Sequence, residues 1–393
     1  MTRKAPSRSS IRRRPADAGR SAAGKEAPVA APHGPLVIDG SYGEGGGQIL
    51  RTTLSLAALL TRTVRIERVR LYRDKPGLAA QHLTAVRATA ALCNAEVRGD
   101  ELGSTTLDFS PRKRPQAGDY SFDVGAARPG GSAGAAVLIL QTVLLPLAAA
   151  AGNSVVTVTG GTHMHWSPTY DYAAQIWLPL LQRSGVDAEL ELGVSGWYPL
   201  GKGKIHARVR GMRADIVGGL RPIDMVERGR LLRIQGRALT ANLPPHIAAR
   251  MATRAQLRLG DLGVPLDIAA VVTGDAACPG ACLFLQADYE YARAGFNAPG
   301  QRGKPAERVA DEAADALLAH YRSGASLDVH LGDQALLPLA LAAGPSRFTT
   351  ETVSRHLQTN AWVMKQFGLA RIHWQQQNGA GLIEVRPLTQ HRP

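Results

Sequence analysis

Short apolar runs, each closed by glycines, set the rhythm of the first two hundred residues. Leu36, Val37 and Ile38 read as a buried strand that runs into a glycine-rich turn over 40–48 and then into a helix over 49–60. Alternating apolar positions predict a strand over 64–71. Leu83, Val86 and Ala90 share one face of a helix over 79–93, and 96–109 reads as strand. The order then recurs: strand 118–124, glycine-rich turn 130–134, helix 135–150, strand 154–159, helix 172–184, strands 187–194 and 204–210. The recurrence is one of element order, in units of strands and helices roughly 70–90 residues long; no sequence repeat accompanies it.

The pattern changes after Gly211. Residues 224–242 read as a charged strand, and 244–257 as a helix with proline just inside its start. Strands over 266–273 and 281–287 follow. An amphipathic helix over 304–321 has Val309, Ala313, Leu317 and Leu318 on one side. From Ser326 the rhythm of the first two hundred residues returns, with helices over 333–343 and 350–367 and strands over 370–375 and 381–386. The expected organisation is an α/β (α+β) chain with a large domain over 34–215 and 324–387 and a smaller inserted α/β domain over 216–323. A disordered basic tail is expected over 1–33, and a short tail over 388–393.

Composition narrows the function classes. The 393 residues carry a net charge of +14, which favours an anionic partner such as nucleic acid or nucleotide. Residues 1–30 alone hold eight cations against Asp17 and Glu26, and the remainder still stands at +8. Three cysteines (Cys93, Cys278, Cys282) do not make a disulfide framework, and a cytoplasmic, reducing setting is expected. Cys278 and Cys282, spaced C-x3-C without a second ligand pair, read as spare thiols in a turn rather than a metal site. The apolar stretch 133–150 is interrupted by Gln141, Thr142 and Pro146, so a buried helix is expected there and no membrane span.

Four places carry candidate chemistry. Gly43–Gln48 offers backbone N–H groups and a helix start to an anion, as would a plain tight turn, and Glu44 within it is suited to a divalent metal. No P-loop pattern occurs. Arg51 one turn on and the cluster Arg70, Arg73 and Lys75, with Gln81 and His82 opening the next helix, read either as phosphate grips or as a solvated basic face. His163 and His165 form an H-x-H pair at a strand end, open to a metal or to a nucleotide wall. His356 lies at the margin of a helix stripe formed by Val353, Leu357, Met364 and Phe367, with Asn360 one turn on. A histidine there is either a structural hydrogen-bonding residue or a nitrogen nucleophile toward phosphorus.

Taken together and in order, these segments resemble the RNA 3′-terminal phosphate cyclase family. They are Ile38-Asp-Gly-Ser-Tyr-Gly-Glu-Gly-Gly-Gly-Gln48, Arg73-Asp-Lys-Pro-Gly-Leu78 with Gln81-His82, and Gly160-Gly-Thr-His163 with Trp166-Ser-Pro168. Gly196-Trp-Tyr-Pro-Leu-Gly-Lys-Gly203, Leu331-Gly-Asp-Gln334 and His356-Leu-Gln-Thr-Asn360 complete the set. The resemblance spans about residues 35–387 and implies three βαβαββ-type units with a smaller insert like the C-terminal fold of bacterial translation initiation factor three. It implies an ATP-dependent enzyme of the ligase class. Its partner is RNA with a 3′-phosphate, which becomes a 2′,3′-cyclic phosphate by way of an AMP-histidine and an RNA(3′)pp(5′)A intermediate. By position, His356 takes the AMP, and Glu44 binds Mg²⁺ or Mn²⁺. Arg51, Arg73, Gln81 and Gln141 hold phosphates, and Pro168, Tyr172 and His330 border the adenine. Asp333 and Gln334 stand near nucleotide and histidine. Two rival readings are a non-catalytic cyclase-like scaffold of ribosome biogenesis, which lacks the nucleophile, and an enolpyruvyl-transferase-like enzyme, which has no need of the His356–Asn360 pairing.

Overall fold

The computed structural model describes residues 34–212, 215–377 and 379–388. The expected tail over 1–33 lies outside them; of 388–393 only Leu388 is described, its N–H bonded to the Leu369 carbonyl at 2.9 Å.

The first unit runs β1 (Leu36–Asp39), α1 (Gly47–Leu60), β2 (Val64–Glu67), α2 (Ala80–Cys93), β3 (Glu96–Arg98) and β4 (Leu107–Ser110). Its sheet order is β1-β2-β4-β3, with the first pair parallel and the other two antiparallel. The second unit repeats this. It runs β5 (Asp119–Asp123), α3 (Ala136–Ala148), β6 (Ser154–Gly160), α4 (Tyr170–Tyr172), a π-helical turn Ala173–Trp177, α5 (Leu178–Arg183), β7 (Asp187–Val194) and β8 (Gly203–Arg210). Its order is β5-β6-β8-β7, with the same pair directions. Parallel neighbours need a crossover helix and antiparallel ones a short turn, so the element order enforces the pairing.

The third unit opens with β9 (Asp224–Met225) and is interrupted. A separate sheet intervenes, made of β10 (Leu231–Ala241), β11 (Leu266–Thr273), β12 (Gly280–Tyr289) and β13 (Arg293–Pro299) in the order β11-β10-β12-β13, with α6 (Pro245–Leu259) and α7 (Ala306–Ser323) packed on it. Arg250, Arg254 and Arg258 of α6 pair with Glu307, Asp311 and Asp315 of α7, one rung per helical turn. The third unit then resumes with α8 (Val329–Ala340), β14 (Ser346–Thr350), α9 (Arg355–Gln366), β15 (Ala370–Gln377) and β16 (Ala380–Pro387). Its order, β9-β14-β16-β15, is again that of the first sheet. The three-unit α/β architecture is thus carried by strand order.

Expectation and structure differ where elements are short. The strand expected over 64–71 stops at Glu67, because Arg68 and Arg70 take left-handed backbone, φ +54° and +53°. The helix expected from 350 begins at Arg355, and β14 precedes it. β9 pairs with β14, so the third sheet reaches inside the segment 216–323. Within the apolar stretch 133–150, α3 is buried except at half-buried Gln141; among the described residues no helix is long and apolar enough to cross a membrane.

Candidate active site where three helices meet

The turn between β1 and α1 is held at both ends. Asp39 accepts from the Ser41 N–H (2.9 Å) and hydroxyl (2.7 Å) and pairs with Arg68, whose hydrogen bond lowers the carboxyl to about 2. Tyr42 stacks on Trp362 of α9, centroids 4.1 Å apart. Gly43 and Gly45 have φ of +62° and +57°. A side chain on Gly43 would also collide with the Thr359 hydroxyl, so α9 packs directly against the turn. Glu44, between the two glycines, is thereby aimed at the start of α9.

Ser354 caps α9, its Oγ accepting from the Leu357 N–H at 2.9 Å while donating to Asp333 of α8. That places His356 in the first turn, half exposed, with Nε2 2.9 Å from Glu44 Oε2. An ionised carboxylate only accepts, so Nε2 carries the proton of this contact. The Glu44 hydrogen bond raises the His356 pKa; burial opposes it and the Asp333 charge assists. Arg73 donates to the Glu44 backbone carbonyl at 3.1 Å. Arg51 donates to Gln48 Oε1 at 2.8 Å, and desolvation lowers its pKa to about 10 against the pull of Glu44.

Asn360 locks α9 to both neighbours. Its Oδ1 accepts from Thr52 Oγ1 (2.7 Å) and Gln48 Nε2 (3.3 Å) on α1, and its Nδ2 donates to the Asp333 carbonyl on α8 (3.1 Å). Asp333 is buried, which raises its carboxyl to about 6. A narrow cleft opens here. Arg51, Asp333, Gln334, Gln141, Gln48 and Asn360 line it, with Gln141 donating to Gln334 at 2.8 Å.

Not every expected site residue joins this group. Gln81 faces a different groove and accepts from the Ala135 N–H at 3.1 Å, pinning the start of α3. Tyr172 is buried and its hydroxyl donates to Asp328, the N-cap of α8, at 2.7 Å, so it offers no open ring face. His330 is exposed in the first turn of α8, and Pro168 is half-buried in the turn before α4. Gln48, Thr52 and Ser354 do not stand out in the sequence as site residues; the spacing of Ser354 before a helix is the one signal that could have found it.

A family model described as RNA 3′-terminal phosphate cyclase matches residues 42–374. The chain belongs to that family. A protein of Methylococcus capsulatus with that name is 55% identical over 354 residues, covering 89% of this chain and 96% of its own length. One from Gloeothece citriformis is 49% identical over 337 residues, with 86% and 95% covered. One from Pyrobaculum aerophilum is 40% identical over 356 residues, with 90% and 99% covered.

Two motifs of this cyclase-family chain serve packing. His163 is buried between Thr162 Oγ1 (2.8 Å) and Asp171 (3.0 Å) and stacks on Trp197; Asp171 also pairs with Arg237 of β10 at 3.1 Å. His165 is exposed, so the H-x-H pair does not converge. Cys282 lies in β12 and Cys278 before it. Both are buried free thiols in the cluster around Trp197, not neighbours in a turn.

Proposed function

We propose that this chain uses ATP to close an RNA 3′-terminal phosphate into a 2′,3′-cyclic phosphate, with His356 carrying AMP between the two. The observation that carries the reading is the His356–Glu44 contact, made by the same helix α9 whose Asn360 lines the cleft with Arg51 and Gln141. The Nε2 lone pair attacks the α-phosphorus of ATP, the bond to pyrophosphate breaks, and AMP is held as a phosphoramidate. An oxygen of the RNA 3′-phosphate then displaces the histidine, giving RNA(3′)pp(5′)A. The neighbouring 2′-hydroxyl attacks the RNA phosphorus, loses its proton, and expels AMP. The last step is intramolecular, where effective molarities reach about 10⁵–10⁸ M in well-oriented cases.

In the resting arrangement Glu44 holds a proton on Nε2, so before attack the Glu44 carboxylate takes that proton and frees the lone pair. Asp333 and the Ser354 cap hold α9 in place for it. Arg51 and Arg73, with Gln141 and Gln334, are the phosphate grips; Pro168 and His330 border the adenine, and Tyr172 supports the α8 start from beneath. Among the described residues no three acidic, cysteine or histidine side chains form a metal cluster. A lone carboxylate at Glu44 fits Mg²⁺ or Mn²⁺ arriving with nucleotide, since such ions take one or two carboxylates plus phosphate oxygens and water, and the ion supplies charge neutralisation at the phosphates.

The test is incubation with α-labelled ATP alone, then with 3′-phosphorylated RNA. Wild type should take up an acid-labile, base-stable label and pass it on as cyclic product is made. His356→Ala should do neither, and label retained by that variant overturns the assignment.

A further inference from the structure

A second opening takes no part in the chemistry above. It is an open groove of about 560 Å³ between the loop 130–134 leading into α3 and the turn after β6, with Trp166, Tyr198, His165 and Arg128 on its walls. Trp166 is 100% exposed and Tyr198 75%. Trp166 also holds left-handed backbone, φ +62°, a strained choice for a bulky residue. Its indole gains nothing from burial, so the strain serves to present the ring to whatever enters the groove. Gly130 and Gly131 have φ of +80° and +84°, and open space stands where their side chains would be, leaving a smooth wall for a close-lying chain. Arg128 is exposed and makes no ion pair among the described residues. The groove connects to the reacting site through one helix start. Gln81 lines the groove, and the next residue, His82, faces Gly47 and Arg51 at the start of α1.

We propose that this groove holds the one or two nucleotides of single-stranded RNA immediately 5′ of the reacting end, their bases stacked on Trp166 and Tyr198 and a backbone phosphate facing Arg128. Every base has a flat face, so such a platform is tolerant of sequence while demanding that bases be present. The proposal rests on the reading of His356 as AMP carrier only for where the RNA end lies. The competing occupant is the base of ATP.

The experiment measures binding and chemistry separately on the full chain. Fluorescence anisotropy gives the Kd of a 3′-phosphorylated oligoribonucleotide, and of one with abasic residues at the two positions before the end. Trp166→Ala and Tyr198→Ala should each weaken RNA binding roughly 5- to 150-fold, the range of single-base stacking losses. Trp166→Phe should restore most of it. RNA abasic at both positions should bind wild type as weakly as intact RNA binds the Trp166→Ala/Tyr198→Ala double variant, and the two losses should not add. AMP labelling from ATP alone should keep the wild-type KM for ATP. RNA Kd values unchanged in both alanine variants overturn the proposal, as does a raised KM for ATP with RNA binding intact, which assigns the groove to the nucleotide base. Absence of labelling in wild type counts against the AMP-carrier reading instead, and the Kd series still decides the groove.

Discussion

Replacing Asp333 with Asn should stabilise the protein at pH 8 and stabilise it less as the pH falls. Burial raises the Asp333 carboxyl from 3.8 to about 6, so the folded state holds a proton that the unfolded state has released. Stability therefore declines as pH rises between those two values and levels off above the higher one. At about 1.36 kcal/mol per unit, a shift of this size costs about 3 kcal/mol at pH 8 and roughly half that at pH 5. Asn keeps a side-chain oxygen for the Ser354 hydroxyl, so the α9 cap survives the change. Unfolding entropy of about 2.1 cal/mol/K per residue over 393 residues converts the cost to a Tm gain of about 4 °C at pH 8 and about 2 °C at pH 5. Calorimetry on both proteins at both pH values cancels the other titrating groups. A gap independent of pH, or a variant less stable at pH 8, refutes the reasoning.

Gly47→Ala puts a methyl against His82 Nε2 and 2.8 Å from Arg51 Nη1; displacing these groups should slow labelling by up to about 10²-fold, and wild-type labelling kinetics would show the close approach to be unimportant. Asn360→Ala strips the bonds to Thr52, Gln48 and the Asp333 carbonyl. It should cost about 2–4 kcal/mol, seen as a lower Tm, and an unchanged Tm would contradict the lock between α1, α8 and α9. Glu44→Gln should label poorly and recover in part at high metal concentration, while the His356 ring, followed by NMR titration, loses its proton at lower pH than in wild type. An unchanged metal response would remove Glu44 from the metal site.

The long elements are legible in the sequence because their apolar periodicity extends over several turns: α2, α3 and α7 fall within a few residues of their expected spans. What escapes is short or non-local. β14 has five residues and β9 two, too few to show a period, so the pattern around 346–350 merges with the helix that follows, and the start of the third sheet is hidden. Glu44 and His356 each stand out by residue type and neighbours, yet their meeting depends on α9 packing on a turn more than 300 positions away, which no local spacing encodes. Exposure is equally hidden. Tyr172 and Trp166 are aromatic residues of one segment following β6, and one is inside while the other is fully outside.

The repetition of strand order has a further consequence for how one scaffold supports different chemistry. The second helix of each unit starts after a cap at the same topological address: Ala79 in the first, Thr169 in the second, Ser354 in the third. At the first address stands His82, its ring accepting from the Ala79 N–H. Burial, then Arg51, Arg70 and Arg73, drive its pKa far down and keep it neutral. At the third stands His356, facing a carboxylate that holds its proton on. At the second, Asp171 is spent on His163 and Arg237. The backbone supplies three equivalent posts, and the side chains from neighbouring units set a different proton state at each, the one at His356 being the post to which the proposal assigns the AMP.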